Sequence, residues 1–70
     1  MKRPIIGNRY VYWPTLFDTA YYGSRYAGSI VRAIGVPGMR GRAPAPFQHV
    51  ETTDGAILMV QRASLKRLGR

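Results

Sequence analysis

Two runs of strand-forming residues near the C-terminal end are separated by a two-residue turn signal, and this arrangement constrains the fold more than any other part of the sequence. Residues 47–53 alternate between apolar and polar side chains, residues 56–61 form an apolar run, and Asp54 and Gly55 lie between them. Asp-Gly between two such runs is a strong indication of a β-hairpin. The sequence therefore predicts an antiparallel pair of strands.

The N-terminal half contains one further clear strand. Residues 9–13 are mostly aromatic or β-branched, follow the turn-forming pair Gly7 and Asn8, and end at Pro14. Residues 14–24 show no sustained period of two, so we expect them to form a long, partly structured loop.

Two segments in the second half are predicted to lie outside the strands. Residues 36–46 hold three prolines, two glycines, Arg40 and Arg42, which is typical of a mobile basic loop. Ser64 is a suitable cap for a short helical turn that carries Leu65 and Leu68. The basic ends of the chain are expected to be flexible.

The local pattern of residues 24–34 fits two structures. Ser24 as a cap, the spacing of four between Tyr26, Ile30 and Ile34, and Gly35 beyond them favour a helix, and with it an α+β fold. Apolar residues in the same segment also fit a strand. The order of elements along the whole chain favours the strand, which we expect to cover at least residues 27–33.

The length of 70 residues and the absence of cysteine limit the chain to a single domain, residues 1–70, without disulfides. A core of this size is marginal alone and 46% of the residues are hydrophobic, so we expect a homo-oligomer. One histidine and three carboxylates do not indicate a metal site. No long apolar run indicates a membrane span, and we expect a cytoplasmic protein.

The charge of the chain is strongly one-sided. Eleven Lys and Arg stand against three Asp and Glu, which gives a formal net charge of +8. Such an excess attracts polyanions, and arginine in particular forms bidentate hydrogen bonds with phosphate groups and stacks on bases. An acidic partner is therefore predicted, with nucleic acid as the first hypothesis.

The residues expected to bind nucleic acid are arginines and exposed tyrosines. We expect Val11 and Trp13 to face the core and Tyr10 and Tyr12 to offer stacking faces on the surface. The arginines predicted to contact phosphate are Arg9, Arg25, Arg32, Arg40 and Arg42.

The order of these pieces over about residues 7–68 resembles a small SH3-like barrel. An aromatic first strand, Gly28 before Ile30 and Val31, the Asp-Gly turn, and Val60 with Leu65 are similar to the Tudor and KOW branch. The resemblance implies an all-β, five-stranded SH3-like barrel with a short C-terminal helical turn. It also implies binding to nucleic acid, ribosomes, RNA polymerase or methylated tails.

A second resemblance is to plasmid-borne type II dihydrofolate reductase, which would imply a tetrameric enzyme of SH3-like subunits. Residues 28–31, Val50-Glu51 and residues 63–68 carry this likeness. The chain departs from that family at its Val-Gln-Ile-Tyr active-site run, where residues 57–60 read Ile-Leu-Met-Val. Reductase activity is therefore the third hypothesis.

The sequence as a whole predicts a non-enzymatic nucleic-acid-binding domain without a cofactor. His49 and Glu51 share one face of a predicted strand, but without a nucleophile motif or phosphate loop they do not indicate catalysis. The alternative is a protein-interaction module. It would be a small regulator, such as phages and mobile elements carry, that docks on an acidic surface of a polymerase, ribosome or nuclease.

Overall fold

The computed structural model describes residues 4–38, 41 and 43–68. Its elements follow one another as β1 (Arg9–Tyr12), α1 (Leu16–Tyr22), β2 (Ile30–Ile34), β3 (Phe47–Thr52), β4 (Ile57–Gln61), a 3-10 turn (Arg62–Ser64) and β5 (Leu65–Arg67). The five strands are antiparallel and form one sheet in the order β4-β3-β2-β1-β5. The predicted all-β class and the hairpin at Asp54 and Gly55 are confirmed. Within the described residues the sheet is open at β4 and β5, so its closure into a barrel stays a prediction.

One face of the sheet, here called the inner face, forms the core. Tyr10, Tyr22 and Tyr26 pack against the rim of this core. Because burial of a Val or Leu side chain contributes about 1.5–3 kcal/mol, this cluster is the main apolar stabilisation of the described chain. Its buried members are Tyr12, Val31, Val50, Leu58, Val60 and Leu65.

The orientation of β1 is the reverse of the predicted one. Tyr12 is 0% exposed, whereas Trp13 is 55% exposed. Both alternating sets of side chains in this strand contain apolar residues, so the neighbouring strands decide which set faces the core. Tyr12 lies opposite the buried Leu65 of β5. The expected burial of Val11 and Trp13, with Tyr12 outside, was therefore wrong.

The ambiguous segment forms a strand only in its second half. β2 covers Ile30–Ile34, so the alternative of a helix over residues 24–34 is wrong. The strand is also shorter than the predicted residues 27–33, because Gly28 has a φ of +80° and interrupts the extended backbone.

A helix, α1, replaces most of the loop predicted over residues 14–24. The Thr15 side chain accepts a hydrogen bond from the Asp18 N–H at 3.3 Å and caps the helix. Gly23 ends it with a φ of +63° and donates its N–H to the Thr19 carbonyl. Thr and Asp at this spacing resemble the capping-box signal, which was overlooked.

Helix α1 covers the edge of β4 that does not pair with β3. The Tyr22 hydroxyl accepts from the Met59 N–H and donates to the Met59 carbonyl, both at 3.1 Å. The Gln61 N–H donates to both oxygens of Asp18 at 3.1 and 3.2 Å. These bonds occupy backbone groups that an edge strand otherwise offers to another chain.

The C-terminal helical turn lies earlier than expected. Residues Arg62–Ser64 form a 3-10 turn, and Leu65–Arg67 continue as β5 instead of a helix. In the predicted loop of residues 36–46, Arg40 and Arg42 lie outside the described residues. No helix in the part of the chain that the structure describes is long and apolar enough to cross a membrane.

Candidate functional site

The face of the sheet opposite the core, here called the outer face, combines cations with exposed apolar groups. Strand alternation places on it the residues that precede and follow each core position. Ile30 is 38% exposed although it lies in a central strand. The residues of the outer face used below are Arg9, Val11, Trp13, Ile30, Arg32, Glu51 and Lys66.

Two arginines lie directly opposite each other on this face. Arg9 of β1 is the cross-strand partner of Arg32 of β2, and Arg32 is in turn opposite Glu51 of β3. The Arg32 guanidinium donates to the Glu51 carboxylate at 2.6 Å. Side chains directly opposite in a sheet are about 5 Å apart at Cβ, where like charges repel. Glu51 thus forms an ion pair with Arg32, the one of the two arginines that it lies opposite.

A groove of about 250 Å³ opens beside these two arginines. Arg9, Arg32 and Glu51 line it together with Ile30 and Thr53. Guanidinium groups at the wall of such a groove can hold a phosphate or carboxylate by paired hydrogen bonds. An anion in this groove would therefore lie beside both arginines.

Lys66 and Trp13 extend the outer face along β1. Lys66 lies opposite Val11. Beyond the end of the β1–β2 pairing, the Trp13 ring lies next to Gly28. A Cβ added to Gly28 would lie 3.3, 3.7 and 3.8 Å from three carbons of the Trp13 six-membered ring. The indole therefore lies against the Gly28 backbone, where any side chain would crowd it.

The other two carboxylates of the chain are used elsewhere. Asp54 bonds to the Thr52 hydroxyl and, at 3.4 Å, to the Ala56 N–H in the β3–β4 turn. The Thr52 hydroxyl first, then the Ala56 N–H, lowers the pKa of Asp54 below its usual value. Asp18 is fully buried against Gln61 and Ser64. Among the described residues, Glu51 is thus the one carboxylate of the outer face.

The buried carboxylate of Asp18 anchors the segment that carries Trp13. The Ser64 hydroxyl donates to Asp18 and accepts from the Thr15 N–H at 3.1 Å. The Ser64 carbonyl accepts from the Trp13 N–H at 2.8 Å. Residues 13–18 are therefore tied to the 3-10 turn by a chain of buried and half-buried hydrogen bonds.

The predicted arginines are brought together only in part. Arg9 and Arg32 share the outer face. Arg25 lies in the segment between α1 and β2, 5.4 Å from the centre of the Tyr26 ring. Arg40 and Arg42 fall outside the described residues, so their role as phosphate contacts stays a prediction.

The predicted tyrosines do not lie on the face of Arg9 and Arg32. Tyr12 is fully buried and cannot stack on a ligand, so its assignment as a stacking residue was wrong. Burial first, and then the negative charge of Asp18, raises the pKa of the Tyr12 hydroxyl. Tyr10 is half-buried against the core, and its hydroxyl accepts from the Ile5 N–H at 2.8 Å. Strand alternation separates both tyrosines from Arg9.

Sequence reasoning missed Lys66 and Trp13 as members of the site. The period of two places residues 9, 11 and 13 on one face, and this signal was available for Trp13 once Arg9 was assumed to be exposed. Lys66 had no such signal, because its place follows from the pairing of β5 with β1. The described His, Asp and Glu residues form no group suited to a metal ion.

Comparisons of this chain with protein-family models, with curated proteins and with solved structures give no match. What the outer face binds must therefore be inferred from its own residues.

Proposed function

We propose that this chain is a non-enzymatic nucleic-acid-binding domain whose outer face contacts the phosphate backbone. The observation that carries the proposal is the pair of opposed arginines, Arg9 and Arg32, beside a groove in which Glu51 compensates one charge. A bound phosphate would relieve the repulsion between the two guanidinium groups. It would also accept the paired hydrogen bonds that guanidinium groups provide.

The net charge supports the same class of partner. A chain with a formal charge of +8 attracts a polyanion over a long range, and the outer face adds Lys66 to the two arginines. Phosphate contacts of this kind position a protein without reading bases, so the proposed binding does not depend on sequence. We also propose that the domain is an SH3-like barrel and that the protein is cytoplasmic.

A salt titration with two double variants tests the position of the interface. The first variant combines Arg9→Ala with Lys66→Ala on the outer face. The second combines Arg25→Ala with Arg67→Ala and serves as the control, because it removes the same charge at exposed positions away from this face. Binding to fluorescein-labelled single-stranded and duplex oligonucleotides is followed by anisotropy at several salt concentrations.

Loss of two phosphate contacts should reduce the slope of log K against log salt by about 1.4 for single strands and about 1.8 for duplex. We expect this reduction in the outer-face variant and not in the control. Equal reductions in both variants would mean that overall charge, and not the outer face, governs binding. Tight binding to an acidic protein but to no oligonucleotide would favour the protein-interaction module instead.

A second function, self-association, is favoured by the outward side of α1. Leu16 is 91% exposed and Tyr21 is 72% exposed. The Phe17 ring centre lies 5.2 Å from that of Tyr21 and 5.8 Å from that of Phe47. None of these four residues is charged, so a second copy of the chain can pack against them by apolar contact. Sedimentation should show association in the wild type and its loss in a Leu16→Ser, Tyr21→Ser variant, whereas a monomeric wild type refutes it.

A further inference from the structure

We infer that the ligand of the outer face is an unpaired nucleic-acid strand, with one base stacked on the indole of Trp13. This inference rests on the proposed function and names its substrate class. It is carried by the exposure of the single tryptophan, by its packing against Gly28 and by its place directly after the strand that carries Arg9.

The Trp13 indole packs one face against the Gly28 backbone. A Cβ at Gly28 would lie at 3.3 Å from the ring carbon Cη2 and at the nearly equal distances of 3.7 and 3.8 Å from its two neighbours. An approach in the plane of the ring would leave those neighbours much farther away than Cη2. Gly28 therefore lies beneath the tip of the ring, and more than half of the Trp13 surface stays exposed, at 55%.

The backbone that carries the ring is also held in place. The Trp13 N–H donates to the Ser64 carbonyl at 2.8 Å, and Pro14 follows with a restricted φ. Thr15 is bonded to Ser64 in turn. A stacking surface that is ordered before binding loses little conformational freedom when a base arrives.

An unpaired strand fits this surface better than a duplex. In a duplex both faces of each base are covered by neighbouring bases, whereas an unpaired base can offer its face to an aromatic side chain. Arg9 lies four residues before Trp13, about 13 Å along an extended chain. A short single strand can therefore place a phosphate at Arg9 and Arg32 while one of its bases covers Trp13.

The intrinsic fluorescence of Trp13 gives a direct test in the unmodified protein, because the chain has one tryptophan. Titration with unlabelled oligo-dT and oligo-rU should change the emission as binding saturates, and titration with a duplex of equal length should leave it nearly unchanged. Saturated binding of both single strands without a change in emission would overturn the inference.

Variants then measure the contribution of stacking. Trp13→Ala should weaken binding to the single strands by about 5- to 150-fold, which corresponds to one stacked base, and should change duplex affinity less than twofold. Trp13→Phe should restore most of the single-strand affinity, and circular dichroism checks that both variants fold. Equal losses for single strand and duplex in Trp13→Ala would refute stacking but leave the proposed function standing. Absence of binding to every oligonucleotide by the wild type would overturn both.

Discussion

The carboxylate of Asp18 should contribute a large fraction of the free energy of unfolding of this domain. It is fully buried and accepts hydrogen bonds from the Gln61 N–H and the Ser64 hydroxyl. Asp18→Ala removes these bonds and leaves the buried Ser64 hydroxyl and the partly buried Gln61 N–H without their acceptor. The perturbation thus affects the contact between α1 and the end of β4, and through Ser64 the backbone of Trp13.

The cost follows from the two donors that lose their acceptor. Each buried donor left unsatisfied costs about 1–3 kcal/mol, so Asp18→Ala should lower the free energy of unfolding by about 4 kcal/mol. A domain of this length is stable by about 4–10 kcal/mol in total. Asp18→Asn keeps one acceptor oxygen and removes the desolvation cost of a buried charge, so its effect should be smaller.

Urea denaturation followed by circular dichroism and by Trp13 fluorescence measures these free energies. The matched control is Thr19→Ala, an exposed position on the same helix, which should change stability by less than about 0.5 kcal/mol. A double-mutant cycle between Asp18→Ala and Ser64→Ala should show coupling of about 1–2 kcal/mol. If Asp18→Ala stays within 1 kcal/mol of the wild type, the proposed anchoring of α1 by this carboxylate is refuted.

Three further predictions concern the outer face and the core. Glu51→Gln releases Arg32 from its ion pair and removes a negative charge, so anisotropy should show tighter single-strand binding and a slope of log K against log salt larger by about 0.7. An unchanged slope would contradict phosphate binding in the groove. Gly28→Ala introduces a side chain at a φ of +80° against the Trp13 ring, so it should lower the free energy of unfolding by about 1 kcal/mol and shift the tryptophan emission. Unchanged emission would contradict the packing of the ring against Gly28. The pKa of Tyr12 is raised in the folded chain, so its contribution to stability is complete below pH 10.0, the usual value, and is lost as pH rises above it. Tyr12→Phe should therefore flatten the alkaline part of the stability profile, and an identical profile would contradict this.

The hairpin could be predicted from the sequence because its determinants are local. Asp54 and Gly55 lie in the connection between Thr52 and Ile57, and Gly55 has a φ of +89°, a conformation that favours glycine. The alternation of residues 47–53 then places Gln48, Val50 and Thr52 on one face, and all three are buried. Turn chemistry and a period of two were sufficient here, since both act within a few residues.

Helix α1 could be predicted only in part, because most of what holds it is distant in sequence. The cap of Thr15 on Asp18 is local, and it was the available signal. A helix of seven residues is marginal on its own, however, and α1 also depends on Asp18 at Gln61 and Tyr22 at Met59. These bonds connect residues 37 and 43 positions apart, which local pattern does not report.

The error over Tyr12 and Trp13 shows which decision the sequence of β1 leaves to the rest of the fold. One alternating set contains Trp13 and the other contains Tyr10 and Tyr12, so hydrophobicity alone does not select the inward set. Two long-range features select it. Leu65 of β5 is the buried partner opposite Tyr12, and Gly28, which has no side chain, lets the Trp13 ring pack against its backbone. The same choice that buries Tyr12 therefore places Trp13 and Arg9 on one exposed face, and this coupling makes the outer face a candidate binding surface.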